Sequence, residues 1–143
     1  MAIDSVGLRR IMRQRFGIFH VKVLAADEMH EYAREPGIYI VNTQPHWKRG
    51  AHWVVFSNFG AKTKPEFFDS LGRSPYHYGF EINCHHNTWP IQSNNSKLCG
   101  EYALYYVVKH LRGQSLDKIC NSFSRDVNVN DHDILSRLTA LSL

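Results

Sequence analysis

The sequence has few cysteines, little excess charge and no long apolar run. Three cysteines occur among its 143 residues, and an odd number cannot all pair with one another. The count therefore argues against a secreted disulfide scaffold. No stretch approaches the roughly 18 apolar residues that a membrane-spanning helix needs. The first residues also lack the basic start and apolar core of a secretory signal. We expect a protein that is neither secreted nor bound to a membrane.

The residues that are present are typical of a folded protein. Hydrophobic residues make up 43% and charged residues 21%, which is too apolar a composition for a disordered chain. The length suits one domain that spans residues 1–143. The net charge is +4. Arg9, Arg10 and Arg13 lie off the apolar stripe of the first predicted helix and are candidate contacts for nucleic acid, the alternative being a solvated helix face.

Hydrophobic periodicity predicts a helix at each end of the chain and strands in between. Helical spacing covers residues 5–16 and 98–112, and the second segment is apolar nearly all round, which indicates a central, buried helix. Ser115 is expected to cap a short helix and Asn130 a last one. Strands are predicted over 18–24, 37–42, 52–59 and 66–69, with shorter candidates at 80–83 and 88–92, and loops or turns over 43–50 and 60–65. The fold class is α+β, with a small mixed or antiparallel sheet packed against the buried helix.

Four polar residues stand in the order His52, Asp69, Gln92, Cys99, each at the end of a predicted element. A thiol is nucleophilic only as thiolate, and a helix N-terminus and an imidazolium both favour that form. Asp69 would orient the ring of His52 and stabilise its charge. The backbone N–H of Cys99 and the amide of Gln92 could donate to an oxyanion. The set predicts nucleophilic catalysis at Cys99.

Each of these residues also has an ordinary structural explanation. A histidine beside a tryptophan on a strand is more often structural, and a cysteine in an apolar helix is usually a small buried hydrophobe. What favours catalysis is the occurrence of all four residues together, in this order and at the ends of predicted elements. Gly100 adds to it, because glycine in the first turn of a helix costs stability and close approach of a substrate would explain its presence.

These residues resemble the motif set of the adenain family. That family comprises the cysteine proteases of adenoviruses and of related viruses and virus-like mobile elements, and it is akin to the ubiquitin-like-protein proteases. The resemblance rests on His52-Trp53, Asp69 followed by Gly72, Gln92, Cys99-Gly100, the segment 40–43 leading through a loop to 50–53, and the apolar helix after the cysteine. It covers about residues 37–113.

The resemblance implies an adenain-like fold and a role for each residue. His52 would be the general base, Asp69 its orienting acid, Cys99 the nucleophile, which the buried helix carries, and Gln92 the oxyanion donor. Trp53 and Gly100 would line a narrow substrate groove suited to small residues such as glycine before the scissile bond. Adenovirus enzymes have Glu at the acid position, and the Asp at this position is the choice of the ubiquitin-like-protein proteases and many mobile-element relatives.

The resemblance also implies a setting. Family members mature viral precursor and capsid proteins in virions and infected cells, in the nucleus or cytoplasm, and need no metal or organic cofactor. DNA and a short viral peptide can act as activators. Cys84 is a weak candidate for covalent capture of such a peptide.

Four other readings stay open at the level of sequence. The same chemistry could remove ubiquitin or a ubiquitin-like modifier. A chymotrypsin-like viral cysteine protease shares the residue order, but it needs two β-barrels and a longer chain. A basic nucleic-acid-binding domain would not be an enzyme. A metal site formed by His77 and Cys84-His85-His86 is disfavoured, because neighbouring residues of a strand point to opposite faces.

Overall fold

The computed structural model describes residues 2–32, 34–47, 52–59 and 64–143, with the side chain of Tyr32 excepted. The helices are α1 (Ser5–Phe16), α2 (Met29–Tyr32), α3 (Cys99–Leu111), α4 (Leu116–Asn121) and α5 (Val127–Leu141). The strands are β1 (Lys22–Leu24), β2 (Gly37–Asn42), β3 (Trp53–Asn58), β4 (Glu66–Phe68) and β5 (His85–His86). Short 3-10 helices cover Ala26–Glu28 and Pro75–Tyr78. The α+β class is confirmed.

The five strands form one mixed sheet in the order β1-β2-β3-β4-β5. The inner pairs β2–β3 and β3–β4 are antiparallel, and the outer pairs β1–β2 and β4–β5 are parallel. The central strand β3 is buried on both faces, as its apolar, β-branched sequence predicts. Alternation along β3 sends Val55 into the core under the helices and Val54 and Phe56 into a smaller core on the opposite face.

Helix α3 packs on the sheet at the centre of the larger core. Its residues Tyr102, Ala103, Leu104, Tyr106 and Val107 are fully buried. The ring of Tyr106 stacks on Phe68 of β4 with the centroids 4.8 Å apart. Contacts from α1, α4 and α5 complete its surroundings. The predicted central helix is therefore present, and it places its first turn beside the ends of the inner strands. No helix among the described residues combines the length and apolarity that crossing a membrane requires.

Local capping chemistry sets several helix ends where the sequence predicts them. Asp4 accepts a hydrogen bond from the Gly7 N–H at the start of α1, and Gly17 ends that helix with φ 64°. Ser115 caps α4 through the Lys118 N–H. The predicted loop 43–50 and turn 60–65 lie partly outside the described residues.

The two weaker strand predictions, at 80–83 and 88–92, are wrong. Only His85–His86 pairs with β4 in that part of the chain. The N–H groups of Ile91 and Gln92 both donate to the Ser70 carbonyl, at 2.8 and 2.9 Å. These two groups therefore do not hydrogen bond to a neighbouring strand. Pro90, directly before them, has no N–H to offer a neighbouring strand.

The predicted start of the last helix is also wrong. Helix α5 begins at Val127 and is capped by Asp126, so Asn130 lies inside it. The Asn130 side chain is buried, and it hydrogen bonds to backbone groups that include those of the preceding loop. It accepts from the Ser124 N–H and donates to the carbonyls of Ser124 and Ile91. This tertiary role explains why a residue typical of a helix cap stands one turn further on.

Candidate active site

Strand pairing and helix packing bring the ends of three elements together. His52 directly precedes β3, Asp69 directly follows β4, and Cys99 is the first residue of α3. Because β3 and β4 run antiparallel, the beginning of one lies beside the end of the other. The first turn of helix α3 lies at the same place, because Gly100 is next to the side chain of Trp53 at the start of β3.

His52 and Asp69 form a buried pair. The distance from His52 Nε2 to Asp69 Oδ1 is 2.6 Å, and the two residues are 8% and 0% exposed. The same carboxylate accepts from the Leu71 N–H at 2.9 Å, the Arg73 N–H at 3.2 Å and the Tyr78 hydroxyl at 2.5 Å. Burial alone would raise the pKa of Asp69, but the hydrogen bond and charge of His52 and the Tyr78 hydroxyl lower it below its usual value.

A buried asparagine holds the backbone of Asp69. Asn87 Oδ1 accepts from the Asp69 N–H at 3.0 Å, and Asn87 Nδ2 donates to the Asp69 carbonyl at 2.6 Å. Asn87 follows the edge strand β5, so the parallel pairing of β4 and β5 places it there. No sequence pattern in the chain singles out Asn87 or Tyr78 for these roles.

The ring of His52 also interacts with the thiol of Cys99. Burial by itself would lower the pKa of His52, but the hydrogen bonds and charges of Asp69 and Cys99 raise it from 6.5 to about 9. Since Nε2 faces Asp69, Nδ1 is the nitrogen left for the thiol. At neutral pH the ring therefore holds its proton, and it can stabilise a thiolate on Cys99.

Cys99 is 4% exposed at the N-terminus of a helix of 13 residues. The N–H groups of the first turn have no carbonyl within the helix to pair with, and they carry the positive end of its dipole. The capping residue Leu98 offers no side-chain hydrogen bond. The backbone N–H of Cys99 is therefore suited to bind an anion next to its own sulfur.

Gln92 is held in a fixed orientation in the same cavity. Its Oε1 accepts from the Ser70 hydroxyl at 2.5 Å, and its Nε2 donates to the Ser96 carbonyl at 2.9 Å. An amide nitrogen carries two hydrogens, so one remains for a ligand. Gln92 is 3% exposed and reaches this position from an irregular segment, not from the strand end that the sequence predicted.

Two adjoining clefts meet at His52 and Cys99. The Gln92 cleft has a volume of about 540 Å³, and it is lined by these two residues together with Ala2, Thr43, Gln44, Leu71, Arg73, His77, Tyr78, Gln92, Asn94, Ser96 and Lys97. The Trp53 cleft has a volume of about 770 Å³ and includes Trp53, Ile3, Asp4, Arg9, Glu28 and His46 in its lining. A substrate chain could thus extend to both sides of the thiol.

The N-terminal segment forms part of the Trp53 cleft, which the sequence did not predict. The indole Nε1–H of Trp53 donates to the Ile3 carbonyl at 2.7 Å. Gly100 does not line either cleft. A Cβ at Gly100 would meet Ile3, Leu8 and Trp53 at ordinary contact distances of 3.4 to 3.6 Å. Gly100 therefore lies against the N-terminal segment, α1 and Trp53, and its place in the substrate groove stays a prediction.

Of the other sequence candidates, Arg10, Arg13 and Cys84 line neither cleft, whereas Arg9 lines the Trp53 cleft. Arg10 and Arg13 are exposed on α1, and Arg9, also exposed, donates to the Val23 carbonyl. Cys84 is buried, and burial raises the pKa of its thiol to about 11, so it is not suited to covalent capture of a peptide. No group of three or more His, Cys, Asp or Glu that could hold a metal ion occurs in the part of the chain that the structure describes.

A search of protein-family models found none that matches the chain, and a search of curated proteins found no similar sequence.

Proposed function

We propose that the protein is a cysteine endopeptidase that cleaves viral precursor proteins during virion maturation. The observation that carries the proposal is the buried ring of His52, which is hydrogen bonded to Asp69 and interacts with Cys99 where two clefts meet. A catalytic cysteine needs a positively charged neighbour that favours its thiolate form, and His52 together with the N-terminus of α3 supports that role for Cys99.

The proposed reaction proceeds through a thioester. The Cys99 thiolate attacks the carbonyl carbon of the scissile peptide bond, and the oxyanion accepts hydrogen bonds from the Cys99 N–H and the Gln92 amide. The imidazolium of His52 gives its proton to the leaving amine as the C–N bond breaks. His52 then takes a proton from water, which attacks the thioester and releases Cys99. Asp69 keeps the ring oriented throughout.

The adenain-like fold is part of this proposal. It is supported by the order of the four residues in the chain and by the placement of the nucleophile at the start of a buried helix beside a mixed sheet. The viral setting, the precursor substrates and activation by DNA or a peptide rest on the sequence resemblance. DNA binding through Arg9, Arg10 and Arg13 stays a prediction, which salt-dependent binding to a duplex would test.

Alkylation by iodoacetamide tests the reactivity of the thiol. We expect Cys99 to react at least about 10-fold faster than free cysteine at about pH 6, where an ordinary thiol is almost fully protonated. Cys84 and Cys120 are internal controls followed by mass spectrometry in the same sample, because burial raises the pKa of their thiols to about 11 and about 12. Slow labelling of Cys99 would refute the proposal.

Cleavage tests the reaction itself. We expect Cys99→Ala to abolish cleavage of a peptide library and Cys84→Ala to preserve it, because only Cys99 contacts His52. A ubiquitin or modifier probe with a reactive C-terminus separates the endopeptidase from a modifier protease. Labelling of Cys99 by that probe, without cleavage of the peptide library, would favour modifier removal.

A further inference from the structure

The Gln92 cleft carries a positive charge of its own. Three basic side chains line it, namely Arg73, His77 and Lys97, and no Asp or Glu is among its lining residues. Arg73 and Lys97 are permanently charged at neutral pH. All three are exposed, so a ligand in the cleft can reach them without rearrangement of the core.

These charges are not used within the protein. Among the ion pairs of the described residues, neither Arg73 nor Lys97 has a carboxylate partner. The Arg73 side chain interacts with the hydroxyl of Tyr78. The nearest carboxylate, that of Asp69, is fully buried and already bound to His52. Its charge is therefore offset inside the site and does not neutralise the cleft.

The Trp53 cleft differs in this respect. Its lining includes the acidic residues Asp4 and Glu28 as well as Arg9, His46 and Lys97, which lines both clefts, so charges of both signs are mixed there. The two sides of the thiol consequently offer different electrostatic surroundings to one extended substrate. Only the Gln92 side favours negative charge.

We infer that the Gln92 cleft binds an acidic segment of the substrate, with Asp or Glu among the first residues after the scissile bond. This inference rests on the proposed function and on the sequence resemblance, which places Trp53 beside the residues before that bond. Attraction between exposed charges is modest for each pair, but Arg73 and Lys97 line the same cleft and act on the same segment.

A pair of small alkylating reagents tests the charge of the cleft without any peptide. Iodoacetate is an anion and iodoacetamide is neutral, and both modify the same sulfur. At low salt, we expect the ratio of the iodoacetate rate to the iodoacetamide rate at Cys99 to fall about threefold or more in the variants Lys97→Glu and Arg73→Glu. Lys118→Glu is the matched control, because Lys118 is exposed on α4 and lines neither cleft. An unchanged ratio in both cleft variants would overturn the inference.

A library of tryptic peptides tests the substrate class. We expect Asp and Glu to be enriched about fivefold or more within the first three residues after the cut. The enrichment should be weaker at high salt, which screens the charges, and weaker in the variant Lys97→Glu. Frequent cuts without acidic enrichment would overturn the inference and leave the proposed function standing. An unreactive Cys99 and an uncut library would instead refute the proposed function, and the inference with it.

Discussion

Replacing Asp69 by Asn removes the charge that holds His52 protonated. In the folded protein the pKa of His52 is about 9 against an ordinary value of 6.5, and Asp69 is the first of the groups that raise it. A shift of this size corresponds to an upper limit of about 3 kcal/mol of folding free energy, at about 1.4 kcal/mol for each pH unit. We expect Asp69→Asn to lose a large part of this folding free energy.

The sign of the pH dependence follows from the two shifted groups. The pKa of His52 is raised, so its contribution is fully present below pH 6.5 and is lost as the pH rises through about 9. The pKa of Asp69 is lowered, so its contribution is present above its ordinary value of 3.8 and is lost as the pH falls below it. The pair therefore stabilises the fold most between these two ordinary values.

Two measurements check this prediction. The ring of His52, followed by NMR, should titrate near 9 in the wild type and at least about one unit lower in Asp69→Asn. Denaturant unfolding should show a loss of stability in the variant at about pH 6 that becomes smaller at about pH 9.5.

A second His–Asp pair serves as the control. His85 and Asp117 are 2.8 Å apart, but their side chains are 45% and 70% exposed. Solvent screens such a pair, so Asp117→Asn should change stability by less than about 1 kcal/mol. The reasoning is refuted if His52 titrates near 6.5 in the wild type, or if the two substitutions have equal effects.

Three further predictions concern the supports of the site. Gly72→Ala should destabilise the fold by about 3 kcal/mol or more, because φ is +75° and the new Cβ would lie 2.4 Å from the Trp89 backbone. Gly79→Ala is the control: φ is +83°, but a Cβ there meets nothing within 4 Å, so the loss of stability in denaturant unfolding should be only about 1 to 2 kcal/mol. Gln92→Ala should lower kcat about 100-fold and leave alkylation of the thiol by iodoacetamide nearly unchanged, which steady-state and labelling kinetics would show. Asn130→Ala should cost about 2 to 4 kcal/mol in thermal or denaturant unfolding, because it leaves buried backbone groups of the loop before α5 without partners.

The regular elements near the site could be predicted because their signals are local. Helix α1 begins and ends where its apolar spacing, Asp4 and Gly17 place it. The apolar run after Cys99 indicates a buried helix whatever the rest of the chain does, and β3 follows from its β-branched residues. Prediction failed where the deciding partner is distant, as for Asn130, which bonds to a carbonyl 39 residues away.

For the candidate site, the residues could be predicted from the sequence, but their spatial arrangement could not. Residue types and their order suggested His52, Asp69, Gln92 and Cys99, because the chemistry of a thiol nucleophile requires a base, an acid and an anion donor. Their distances were not accessible, since they depend on the pairing of β3 with β4 and on the packing of α3 against both.

By itself the sequence determined the longer helices and the strands β2, β3 and β4, because capping, periodicity and turn chemistry act between residues a few positions apart. Only the tertiary structure decided that Asn87 holds Asp69, that Ser70 orients Gln92 and that Ile3 bonds to Trp53. The physical reason is that hydrogen bonds across the fold, and the charge of a cleft lined from several loops, arise from atoms that no short stretch of chain contains.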